Sequence, residues 1–239
     1  MKPEQFTEQL KNALGDRLHA VVLYGSAAAG DYVPGKSDYN LLVVSAQWTA
    51  HELEAIRAPS RKWTDAGNPP PLCFTPERLA NAADVFPMEM LDILVAHRVL
   101  HGEDPLAGIV VEKTHLRHQL EFELRSKLLK LRQAFLALGK PEKDLNGLML
   151  DSLSAFQAVF RGVLRLFAEN VPSPKPAAVR ELAKVLAIDL AVFEELQGMK
   201  EGHAASGSPA ERFDRYLAAI EMVLDRIDAS LDKKGSPHD

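Results

Sequence analysis

The stretch that decides the fold is Leu23-Tyr24-Gly25-Ser26-Ala27-Ala28-Ala29-Gly30, followed by Ser37-Asp38-Tyr39-Asn40-Leu41-Leu42-Val43-Val44. Ala20 to Tyr24 is a continuous apolar run, the pattern of a strand buried on both faces. Gly25-Ser26 ends it, and Ala27 to Ala29 begins a short helix that Gly30 closes. A turn-rich loop over 33–38 leads to a second buried strand, Asn40 to Val44. Gly25 lets a backbone approach a ligand closely, and Ser26 offers a hydroxyl and an N–H at a helix start, where amides favour anions. Asp38, just before the neighbouring strand, puts a carboxylate beside that cradle, an arrangement suited to a triphosphate held with Mg²⁺.

Working outward, the two parts of the chain differ in texture. Up to about Pro105, short apolar runs alternate with Gly, Pro and polar clusters. Phe6, Leu10 and Leu14 predict a helix stopped by Gly15, and Leu53 and Ile56 mark another from about Thr49 to Arg57. Leu72-Cys73-Phe74 reads as a short strand, and Thr75-Pro76-Glu77 as a helix start with Thr as N-cap and Pro in the first turn. Phe86 to Ile93 is apolar enough for a further strand.

Beyond Gly108 the apolar residues step by three or four. Leu116 to Leu138, Leu145 to Phe167 and Phe213 to Leu231 predict three long amphipathic helices. Shorter helices fit 177–186 and 190–197, and 233–239 reads as a frayed tail. The expected fold class is α/β then α: a small mixed β-sheet domain over residues 1–105, then a C-terminal helical bundle over 106–239.

Composition sets bounds on function. The 239 residues are 46% hydrophobic and 26% charged, the balance of a globular protein rather than a disordered or collagen-like chain. The single cysteine, Cys73, excludes an internal disulfide. A formal charge of −5 gives no strong nucleic-acid signal, although Arg125, Lys127, Lys130 and Arg132 form a basic stretch read as a charged helix exterior. No apolar run reaches membrane-spanning length, and no signal core opens the chain, so the expected location is cytoplasmic.

Gly-Ser, a short helix and an acidic residue opening the next strand resemble the motif of the polymerase-β-like nucleotidyltransferase superfamily. The resemblance is to small bacterial members with a C-terminal helical domain, among them aminoglycoside and toxin–antitoxin nucleotidyltransferases. It implies a nucleotidyltransferase that moves a nucleoside monophosphate from an NTP to an acceptor hydroxyl with Mg²⁺. His97 to Pro105 looks like the linker that joins core to helical domain in these proteins. Gly25, Ser26 and Ser37 would bind the nucleotide, and Asp38 would be the first metal ligand and a catalytic residue. The family's second aspartate is Asn40 here, which keeps an oxygen acceptor but loses the charge, so Mg²⁺ would be held weakly. The third carboxylate is expected on the 86–93 strand, where alternation puts Glu89 and Asp92 on opposite faces. Glu89, an acid inside an apolar run, is preferred as catalytic residue and metal ligand; Asp92 is the alternative. The partners implied are a nucleotide and an unknown acceptor, with no membrane, and a homodimer is compatible with the reading. The departure at Asn40 supports an alternative: a catalytically inactive protein of this fold acting as a nucleotide- or partner-binding module. His97 and His101, four apart, lack a third partner and are not read as metal ligands.

Overall fold

A computed structural model describes residues 1–30, 37–205 and 207–232. The chain divides into two compact units, Met1–His115 and Leu116–Asp239.

The first unit is a sheet between two helical layers. β1 (Leu18–Tyr24) runs antiparallel to β2 (Asn40–Ser45) and to β4 (His97–Gly102), while β3 (Leu72–Phe74) lies parallel to β2. The strand order is β3-β2-β1-β4. The two central apolar runs are adjacent strands, as their sequence predicts, because strands buried on both faces must be covered twice. Alternation sends Val21, Leu23, Leu41 and Val43 to one face, against α1 (Pro3–Leu14) and α3 (Ala50–Asp65). There Phe6 stacks on Trp63 with ring centroids 4.9 Å apart. Ala20, Val22, Leu42 and Val44 pack on the other face with Leu79 of α4 (Pro76–Ala80) and Met90 and Ile93 of α5 (Pro87–Val95).

Two expectations fail here. The 86–93 run is not a strand: it is the helix α5. Pro87 stands at its first turn, where its fixed φ suits a helix and its missing N–H costs nothing, while a strand would lose a ladder bond. Its buried residues, Pro87, Met90 and Ile93, recur every third position rather than every second. The 97–105 stretch is not merely a linker, since His97–Gly102 forms the edge strand β4. A Cβ on Gly102 would meet the His19 carbonyl oxygen at 1.9 Å, so glycine alone permits this close pairing with β1.

The second unit is helical: α6 (Lys113–Leu136, beginning just before the boundary), α7 (Pro141–Phe167), α8 (Lys175–Leu186), α9 (Ala191–Lys200) and α10 (Pro209–Asp232). Among the described residues it holds no strand. Its apolar stripes meet in a core containing Phe156, Phe160, Phe193 and Tyr216, in mutual ring contact. Arg212 is also inside, 1% exposed, with its guanidinium on Glu195 (2.7 Å) and Asn146 (2.8 Å).

Candidate functional site

The site is built where β1 ends. Gly25 has φ 78° and ψ −153°, a region that side chains other than glycine's avoid. Its N–H donates to the Ala96 carbonyl (3.0 Å), and its carbonyl accepts from the N–H groups of Ala28 (2.9 Å) and Ala29 (3.0 Å). The turn is therefore tied both to the end of α5 and to α2 (Ser26–Ala29), a single turn closed by Gly30 in the left-handed conformation.

Asn40 opens β2 directly opposite Tyr24, and His97 opens β4 opposite Tyr24 on the other side. Facing residues in antiparallel ladders share a sheet face, so Asn40, Tyr24 and His97 form one polar row across three strands. The Asn40 amide also reaches Gly25: a Cβ built there would lie 3.4 Å from Nδ2. His97 is fixed by contacts of its two ring nitrogens with the Leu94 carbonyl and the Asp104 carboxylate, each 3.3 Å. Burial, and then the negative charge of Asp92, raise the Tyr24 phenol above its ordinary range.

The other predicted residues are placed as follows. Ser26 begins α2, half-buried beside Gly25. Ser37 and Asp38 line an open polar cavity together with Met1, Lys2, Gln5, Tyr39 and Asn68. Its back wall is held by Asn68, which accepts the Tyr39 N–H (3.1 Å) and donates to the Trp63 carbonyl (3.3 Å). Glu89 is exposed on α5. The argument from strand alternation therefore no longer applies to it: Glu89 and Asp92 are three apart on a helix and are neighbours along it. Of the two, Asp92 is the one whose charge reaches the end of β1.

Residue 40 is an amide, and the strands that follow β2, Leu72–Phe74 and His97–Gly102, carry no Asp or Glu. Among the described residues, no group of three or more His, Cys, Asp or Glu could hold a metal ion.

Sequence reasoning missed Tyr24 and His97 as parts of this end of the sheet. The signal for Tyr24 was its place next to Gly25-Ser26. His97 had none once 97–105 was read as a linker.

No family model matches the chain, and no curated protein matches it. Among solved structures, it is similar to a spectinomycin adenyltransferase from Enterococcus faecialis, crystallised with ATP and spectinomycin. The TM-score is 0.53 at 12% identity, over 95% of this chain and 100% of that one. The protein thus has a nucleotidyltransferase-like fold, α/β then α. Among the described residues, no helix is long and apolar enough to cross a membrane.

Proposed function

We propose that this chain is a nucleotide-binding protein on a nucleotidyltransferase-like fold, in which binding rather than two-metal transfer is the retained chemistry. The Gly25-Ser26 turn would take the phosphates, and Ser37 and Asp38 would contribute from the polar cavity that they line. The observation that carries this reading is Asn40. It occupies the first position of β2, against Gly25, at the place of the resembled motif's second aspartate, and β3 and β4 carry no Asp or Glu. Phosphate binding by backbone amides needs no carboxylate pair; a two-metal displacement does.

A second reading, transfer of a nucleoside monophosphate to an acceptor hydroxyl, is favoured by similarity to the adenyltransferase crystallised with ATP and spectinomycin. On that reading Asp38 and Glu89 are the catalytic carboxylates. The discriminating experiment is calorimetric titration with each NTP, with and without Mg²⁺, alongside pyrophosphate release with a panel of hydroxylated acceptors. Saturable NTP binding without pyrophosphate release is expected. Acceptor-dependent release would establish the second reading, and no binding of any NTP would defeat both.

A further inference from the structure

The helical unit contains a cavity of about 550 Å³ of a different character. Its walls are Phe135 at the end of α6, Leu145 of α7, and Pro209, Ala210 and Phe213 of the first turns of α10. Phe135 and Phe213 stack nearly parallel, with centroids 5.0 Å apart and an interplanar angle of 14°, giving the cavity an aromatic wall. The mouth carries Ser208 and the exposed carboxylate of Asp214.

The wall is well defined. Ser208 and Glu211 cap α10 reciprocally: the Ser208 hydroxyl accepts the Glu211 N–H (3.2 Å), and the Glu211 carboxylate accepts the Ser208 N–H (3.3 Å). Arg212 and Arg215, near this turn, both bond Glu195, at 2.7 and 2.6 Å. Asp214 is the one ionic group among the described residues lining the cavity.

We infer that this cavity is a binding site for a small aromatic or aliphatic molecule bearing a single cationic group, its apolar body against Phe135 and Phe213 and its cation at Asp214. The volume lies within the range of small-molecule sites, as do apolar walls with few polar groups at the rim. The aromatic pair offers a face for stacking, and the exposed Asp214 carboxylate selects the charge. All residues lining this cavity belong to the second unit, and the inference does not depend on the nucleotide reading.

The test uses the full chain and two isosteric probes, 4-phenylbutylamine and neutral 4-phenylbutanol, in ligand-observed NMR and calorimetry. Both should bind saturably, the amine about three- to fivefold more tightly, the scale of one solvent-exposed charge pair. Ala210→Trp, a substitution of an exposed residue that fills the cavity, should abolish binding of both while circular dichroism stays unchanged. Asp214→Asn should equalise the two probes. Absence of saturable binding, or binding undiminished in Ala210→Trp, overturns the site. An amine preference that survives Asp214→Asn overturns the cation assignment.

Discussion

The Asn40 amide nitrogen lies 3.4 Å from the point that a Cβ on Gly25 would occupy, so the last residue before α2 and the first residue of β2 are in van der Waals reach. Two costs of a side chain at 25 can be separated. The backbone, at φ 78° and ψ −153°, is strained for any L side chain, by about 1–3 kcal/mol. The contact with Asn40 is of ordinary length. Gly25→Ala should therefore lower stability by that amount, and adding Asn40→Ala should not restore it. Urea unfolding of the single and double variants measures both. Recovery in the double variant would show that crowding, not the dihedral, is what selects glycine.

Ser26 stands at the proposed phosphate cradle but is only half-buried. Ser26→Trp should block NTP binding at least tenfold by calorimetry while shifting the melting temperature little. Retained affinity would remove the nucleotide from this turn.

Glu52 gives the first unit an acid sensitivity of known sign. Its side chain is fully buried and accepts hydrogen bonds from the Thr49 hydroxyl, from Gln47 (3.1 Å) and from the Thr49 N–H (3.0 Å), with Arg17 at 3.1 Å. The Thr49 hydroxyl bond contributes most, the Gln47 bond next, and the pKa falls from 4.5 to about 2. A carboxylate with a depressed folded-state pKa stabilises the fold above its unfolded pKa, and that stabilisation is lost as pH falls towards 2. The unit should weaken between about pH 4.5 and 2, and Glu52→Gln should flatten that slope. Both tryptophans, Trp48 and Trp63, lie in this unit and report on its unfolding. An unchanged slope would assign the acid sensitivity to other groups.

The second unit has its own electrostatic weak point. Glu195→Ala would remove from Arg212, inside the core, the Glu195 carboxylate that its guanidinium meets at 2.7 Å. Loss of one member of a buried pair costs about 3–5 kcal/mol. Arg215→Ala, at the exposed side of the same glutamate, should cost less than about 1 kcal/mol. Helical circular dichroism in denaturant compares them, and similar costs would mean that burial of Arg212 is not what makes the pair matter.

Much of the fold was legible because periodicity is a local signal. Val21 to Leu23 and Leu41 to Val44 could only be buried strands, and the long leucine and phenylalanine stripes could only be helices. The candidate site was proposed from contiguous motifs, at Gly25-Ser26 and Asp38-x-Asn40. The reading of secondary structure failed at 86–102 for two physical reasons. Apolar density outweighed the period, although Pro87 already favoured a helix start. The edge strand His97–Gly102 is polar and only partly buried, so nothing in its composition announces a strand. Glu52 was overlooked although Thr49-x-x-Glu52 is a capping-box pattern.

Asn40→Asp bears most directly on function. The substitution adds a full negative charge at the end of the sheet, opposite Tyr24, on a phenol already pushed upward by burial and by Asp92. Without metal, the added carboxylate should repel Asp92 and lower stability. With Mg²⁺ present it supplies a hard anionic oxygen, so metal affinity should rise and the lost stability should return. On the binding reading, pyrophosphate release should stay absent, because one restored charge does not rebuild the rest of a transfer site. Calorimetric Mg²⁺ titration, thermal melts with and without metal, and a pyrophosphate assay of wild type and variant measure the three together. Acceptor-dependent release by the variant would mean that the rest of the transfer machinery is intact, and that a single charge separates this protein from an enzyme. Unchanged Mg²⁺ affinity would mean that residue 40 does not face the bound phosphates, and would overturn the alignment of Asp38-x-Asn40 with the motif it resembles.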